Sequence, residues 1–248
     1  MPGVYYDQQA LKPLLEKLLV GAAQPMDSVG HWADRLLDDP PSPLAIRFLD
    51  QLNGEWQDVQ APDRASERIA SMVKRYLATR QPGWPHLWAH TLRVTGAAVA
   101  IARERQTDPV LSFLAGVLHD VAKLDEANSS ESHEELGAEF AGRVLHDRFS
   151  EDTIRQIQAA ILKENGSVLG EVLHDADKLD KIGAAGVLRR ISTDTHTTWI
   201  PDALDRVADD RDDFPAMHAD TSRDMADSKL AFLDMFLPAA QTAAQSWR

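Results

Sequence analysis

Apolar residues recur at three- and four-residue intervals through most of the chain, and the strict alternation of a half-buried strand is nearly absent. Residues 66–80 set Ile69, Val73, Tyr76 and Leu77 on one helical face, and 86–105 read as a longer helix with a cationic last turn. Asp108 before Pro109 has the form of an N-cap and a first-turn proline, opening the apolar run Val110, Phe113, Leu114, Val117, Leu118. Leu136, Phe140 and Val144 predict a helix over 132–147. Ser150 predicts the cap of another, in which Ile154, Ile157 and Ile161 recur. The same spacing predicts a helix over 168–190 and a last one over 223–237. The expected fold class is all-α, a helical bundle.

Proline and glycine clusters at 39–43 (DPPSP) and 81–85 (QPGWP) punctuate the first third. The first 60-odd residues read as three short amphipathic helices without a cluster of site-like polar residues. The chain is therefore divided into a helical extension, residues 1–60, and a main domain, residues 61–248. No motif assigns the extension a role; a lid and a dimerisation element are the open alternatives, and a homodimer is a candidate assembly.

Composition narrows the chemistry. The 248 residues include no cysteine, which excludes disulfides, thiolate nucleophiles and Cys-based metal sites, so a metal would rest on nitrogen and oxygen. Nine histidines and 39 acidic residues are available. A net charge of −13 argues against duplex nucleic acid as a partner. Much of that charge lies in residues 201–228, read as a solvated acidic face. No apolar run reaches the roughly 18 residues of a membrane helix, and the N-terminus lacks a secretory pattern. A cytoplasmic protein is expected.

Three apolar segments carry candidate ligands. His90 lies on the predicted second helix with His86 four residues earlier, His119 and Asp120 end the run AGVLHD, and HDADKLDKIG supplies Asp175, Asp177 and Asp180. Buried carboxylates are costly unless neutralised, and a divalent cation neutralises them. A helical wheel puts Asp175 and Asp177 on opposite flanks of the apolar stripe and Asp180 within it, so spacing does not select among the three.

In this order HTLRV, VLHDVAK and DADKLDKIG resemble the HD superfamily of metal-dependent phosphohydrolases, over about residues 66–240. The likeness is greatest to small bacterial members acting on nucleotides. The resemblance implies an HD-type bundle with His90, His119, Asp120 and Asp177 as metal ligands, Asp177 because it fills the family's Asp-Lys position. It leaves Asp175 as runner-up and gives Asp180 and His86 supporting places. Relatives with two metals add two histidines. His133 stands where the first would be and Glu164 where the second would be, so both are candidates for a second metal or for substrate, and one metal is the expectation. Manganese is favoured among Mn, Mg, Co, Fe, Ni and Zn. The implied reaction is attack of activated water on the phosphorus of a small phosphorylated compound, expected to be a nucleotide. Asp120 would be the shared ligand and proton acceptor, with Lys123 and Arg93 facing the phosphate oxygens. Lys123 has a surface lysine as its alternative role, and Arg93 a structural ion pair. Trp84 or Trp88 is a candidate to stack on a base. The competing readings are a di-iron oxygenase and a non-catalytic nucleotide sensor. His146 reads as exposed, His174 as adjoining the site, and His31, His196 and His218 as ordinary residues.

Overall fold

The computed structural model describes residues 59–80, 84–164, 166–194 and 200–245, with Phe48 and Gln51. The short helices expected before residue 60 lie outside the described residues. So do His31 and His196, and the side chains of Trp84 and His86. Among the described residues every regular element is helical, as the periodicity predicts.

The chain divides into two compact units. One comprises residues 57–180 and 216–225. It contains α1 (Arg64–Ala78), α2 (Trp84–Arg105), α3 (Pro109–Leu118), a 3-10 turn (Glu126–Asn128), α4 (His133–Leu145), α5 (Glu151–Ile161) and α6 (Val168–Leu179). Helix starts follow side-chain chemistry: Asp63, Asp108, Ser150 and Ser167 each accept a hydrogen bond from a first-turn backbone N–H. At α4, Ser132 and Glu135 form a reciprocal capping box.

Helix α3 is the hub. Ser112 through Leu118 are all buried, and the helix packs against α1, α2, α5 and α6. A helix apolar on every side has no solvent face to present and must lie inside. Its approach to α2 is close because residue 116 is glycine: a Cβ there would stand 2.7 Å from Thr95 Cα. The Thr95 hydroxyl turns back to donate to the Thr91 carbonyl at 2.7 Å, so its polar atom is satisfied within α2.

The second unit includes α7 (Gly183–Asp194), α8 (Ile200–Asp212) and residues 226 onward of α9 (Asp220–Gln245). Arg190 joins α7 to Asp210 of α8 through two hydrogen bonds of 2.6 and 2.7 Å. Phe48 lies against Phe232 and Phe236, with ring centroids 5.9 and 5.4 Å away.

Three elements differ from the expectation. The helix read over 168–190 is two helices, because Asp180 ends α6 and Gly183 adopts φ +76, a left-handed conformation that glycine takes freely. Residues 200–212, read only as an acidic face, form α8, where Ala203, Leu204 and Val207 are buried beneath the carboxylates. Helix α9 starts at Asp220 and runs through Pro238 to Gln245 rather than ending at 237.

Candidate metal centre

Helix α2 is long enough to carry His90 into the unit beside Thr91, Val94 and Thr95, all buried. His90 is itself buried, and its Nδ1 donates to Asp180 Oδ2 at 2.7 Å. Because a carboxylate only accepts, the proton is assigned to Nδ1 and the Nε2 lone pair faces the opposite way. His119, the C-cap of α3, repeats this logic: its Nδ1 donates to the Gly116 carbonyl at 2.7 Å. Burial lowers the His119 pKa despite the nearby Asp120 and Asp177, which favours the neutral imidazole.

The two Nε2 atoms stand 3.1 Å apart. With both Nδ1 atoms donating, the two Nε2 atoms face each other in a buried place, an arrangement that a bound cation or a proton on one ring satisfies. Two nitrogens on one metal at about 2.1 Å lie roughly 3.0–3.4 Å apart at octahedral to tetrahedral angles, which matches. The carboxylates complete the set. Asp120 Oδ2 is 3.5 Å from His90 Nε2 and 3.8 Å from His119 Nε2, and Asp177 Oδ1 is 3.5 Å from His90 Nε2. His90, His119 and Asp177 each offer an atom within 4.8 Å of the others. Burial pushes the Asp120 carboxyl up, but His119, His90 and Lys123 outweigh it and hold the group well below the usual carboxylate range. Two imidazoles and two carboxylates are donors that fit a divalent cation of borderline or hard character.

Asp180 and Arg93 support this centre from behind. Arg93 donates to both Asp180 oxygens, at 2.5 and 3.0 Å, and Asp180 is buried. Burial raises the Asp180 carboxyl while Arg93 and His90 pull it down further than burial lifts it, so it stays charged. Of the two roles open to Arg93, phosphate contact and structural ion pair, the structure shows the second: its guanidinium engages Asp180 at two points. The carboxylate–histidine pairing fixes the His90 tautomer and ring plane.

Beyond Asp120 lies His133, at the first position of α4. Its Nε2 is 3.4 Å from Asp120 Oδ1, so one carboxylate faces His90 and His119 with one oxygen and His133 with the other. His133 Nδ1 is 3.0 Å from Glu126 Oε1 and 3.1 Å from Glu134 Oε2, and Lys123 Nζ is 2.9 Å from its Nε2. Lys123 does not sit on a continued helix, because α3 ends at Leu118 and residues 119–125 form successive turns. Glu164, expected beside His133, is exposed in the α5–α6 loop and belongs to none of the His-and-carboxylate clusters among the described residues.

Lys163, which no sequence motif marks, reaches Glu134 at 2.5 Å with its ammonium. Burial opposes its charge, yet Glu134 first and then Asp177 and Asp120 raise its pKa. Its backbone is left-handed, φ 58, where glycine or asparagine usually ends a helix. The sequence carries no sign of it, because both the torsion and the Glu134 contact arise only in the fold.

Asp175 is not gathered at this centre. Its buried carboxylate accepts from the Ser222 hydroxyl and from the His218 and Ala219 backbone N–H groups. It also pairs with His218 Nδ1 at 2.7 Å. His174 and His218, which sequence separated, come together there with ring centroids 5.2 Å apart. His146 is exposed, and Trp88 is buried with Lys74 over its ring.

Comparison with known proteins follows the same residues. The HD domain family model matches residues 87–182. YpgQ of Bacillus subtilis, itself uncharacterized, is 31% identical over 136 residues, which span 51% of this chain and 64% of YpgQ. The structure of a predicted HD superfamily hydrolase from an uncultured Thermotogales bacterium matches with a TM-score of 0.53 and 26% identity, covering 73% of this chain and 92% of that one. A structure of B. subtilis YpgQ in complex with ADP matches with a TM-score of 0.54 and 20% identity, covering 72% and 96%. Among the described residues no helix is long and apolar enough to cross a membrane. The match to the HD domain model lies over α2 through α6 and takes in the ordered His, His-Asp and Asp elements.

Proposed function

We propose that this protein is a metal-dependent phosphohydrolase of a small phosphorylated compound, a nucleotide in the first instance. The observation that carries the reading is the pair of Nε2 atoms, 3.1 Å apart, beside the oxygens of Asp120 and Asp177. His90, His119, Asp120 and Asp177 would hold one divalent ion, with manganese favoured for an N2O2 donor set. The cation would supply Lewis acidity and lower the pKa of water toward neutrality.

The chain's own residues do the rest. Asp180, fixed by Arg93, holds His90 in the tautomer that turns Nε2 toward His119, Asp120 and Asp177. Asp120 Oδ1, turned toward His133, is the oxygen that receives the nucleophile's proton. Lys123, against His133, and Lys163, against Glu134, bring two ammonium groups within electrostatic reach of that carboxylate and offset charge growing on non-bridging phosphate oxygens. The Lys123 ammonium against His133 also fills the place a second cation would take, which supports one metal. ADP bound by YpgQ supports a nucleotide as the substrate class.

The test is phosphate or pyrophosphate release from nucleoside mono-, di- and triphosphates with Mn²⁺, Mg²⁺, Co²⁺ or chelator, for wild type and Asp120→Ala. Metal-dependent turnover that the variant loses is expected. Turnover that survives in Asp120→Ala, or none from wild type on any compound, would refute the reading. Nucleotide binding without turnover would transfer weight to the sensor.

A further inference from the structure

The second meeting of histidines, on Asp175, has the makings of a separate site. The two Asp175 oxygens have divided tasks. Oδ2 accepts from the His218 N–H at 2.9 Å, the Ala219 N–H at 3.2 Å and the Ser222 hydroxyl at 2.5 Å. Oδ1 meets two imidazole nitrogens, His218 Nδ1 at 2.7 Å and His174 Nδ1 at 3.4 Å. The three bonds on Oδ2 fix the plane of a fully buried carboxylate, so Oδ1 is aimed and cannot rotate away. The two rings stand edge to face at 87° with centroids 5.2 Å apart. Their side chains are 37% and 41% exposed, which opens the cluster to ions and water on one side while its carboxylate stays inside.

We propose that His174, Asp175 and His218 form a second binding site, independent of the HD centre, for a late divalent transition metal of the zinc class. One atom from each residue lies within 4.8 Å of the others. Of the Oδ1–Nδ1 separations, 3.4 Å lies within and 2.7 Å just below the roughly 3.0–3.4 Å between neighbouring ligands of a small divalent ion. Replacing the His218 Nδ1 proton by the ion needs that pair to open by only a few tenths of an ångström. Two imidazoles with one carboxylate select zinc, copper or nickel over magnesium or calcium, and water completes the coordination on the exposed side. The backbone and Ser222 donors on Oδ2 are the outer contacts that orient a carboxylate ligand. The local balance suits a cation, since Glu104, Glu171 and Asp220 outnumber Arg105 and Arg223 among the charged groups around the cluster. A bound ion would staple α6 to residues 218–222, the lead-in to α9, which polar contacts to Asp175, Glu104 and Arg105 otherwise hold.

Equilibrium dialysis of the full chain against ZnCl₂ tests this. Wild type is expected to bind one more equivalent than either His174→Ala or His218→Ala. Both imidazoles are partly exposed, so the variants should fold; His174→Gln, which keeps the shape and removes the ring nitrogens, gives a third comparison. Asp120→Ala, which addresses the HD centre, is expected to keep this equivalent and to gain Tm on adding zinc, a gain lost when His218→Ala is added. Equal zinc stoichiometry and affinity in wild type and the His174 and His218 variants would overturn the proposal, whatever the outcome for phosphohydrolase activity.

Discussion

Gly116→Ala should damage the metal centre without touching a ligand. An ideal Cβ at this position meets Thr95 Cα at 2.7 Å and Thr95 Oγ1 at 2.8 Å, against an ordinary contact distance beginning at 3.4 Å. The shortfall to Thr95 Cα is 3.4 − 2.7, or 0.7 Å, and the obstacle is backbone, so α2 and α3 must part by about that much. His90 rides on α2 five residues before Thr95, and His119 caps α3 three residues after Gly116. Their Nε2 separation, 3.1 Å, would then move toward about 3.8 Å, past the roughly 3.4 Å that two neighbouring nitrogens on one cation span. The sign is diagnostic. Alanine in an unobstructed helix gains about 1 kcal/mol over glycine, whereas forcing a methyl into a packed contact costs about 1–3 kcal/mol, with the upper end appropriate to a backbone clash. A net loss of about 2 kcal/mol follows, equivalent to a Tm fall of roughly 4–8 °C for a chain of this size. Mn²⁺ affinity, read by electron paramagnetic resonance, should fall about 10-fold or more, as when outer contacts of a site are disturbed. A variant as stable as wild type with unchanged Mn²⁺ affinity would refute both the close helix contact and its link to the site.

Lys163→Gly should separate stability from function. A left-handed lysine costs about 1–2 kcal/mol that glycine does not, so the Tm should not fall, while KM for a phosphorylated substrate should rise as the ammonium beside Glu134 is lost. A lower Tm with an unchanged KM would count against assigning this lysine to substrate. Tyr76 carries a pH prediction. Burial first, then the hydrogen bond to Asp125 at 2.7 Å, raises its pKa above the ordinary 10.0. The folded state thus favours the neutral phenol, and the stability so gained is complete below pH 10 and is lost as pH rises through the folded pKa. Ultraviolet difference absorbance should show a phenol step above the ordinary tyrosine range, and Tyr76→Phe should remove that step and flatten the loss of stability above pH 10. An unchanged titration in the variant would exclude that assignment.

Helices with strong apolar stripes were legible because burial and periodicity coincide in them: Ile154, Ile157 and Ile161 are spaced for a helix and are buried in one. In α8, Ala203, Leu204 and Val207 have the same geometry, but carboxylates surround them in sequence and hide a short stripe. The split at 180–183 is hidden in the sequence because apolar spacing runs on through Ile182 and Val187, and a single glycine torsion makes the break. His90, His119 and Asp120 were legible as a group from their order on apolar segments, whereas Asp177 depended on the resemblance. Arg93 had two roles open to it, and only the position of Asp180 decided between them. The His174–Asp175–His218 cluster joins residues 43 apart, a proximity that tertiary folding creates and periodicity does not encode.

Between Leu118 and His133 the chain makes successive turns and a single 3-10 turn, then begins α4 on a capping box that fixes His133 at its first position. Within that span lie Asp120, Lys123 and Glu126, and each meets His133 through a side chain. Identity at the intervening positions is loosely constrained, since Asn128, Ser129, Ser130 and Glu131 are exposed. Length is not. A residue added inside α3 or α4 turns everything beyond it by about 100°, and one added in the connection displaces His133 from Asp120. Sequence drift across this segment should therefore proceed by substitution, with insertions and deletions purged.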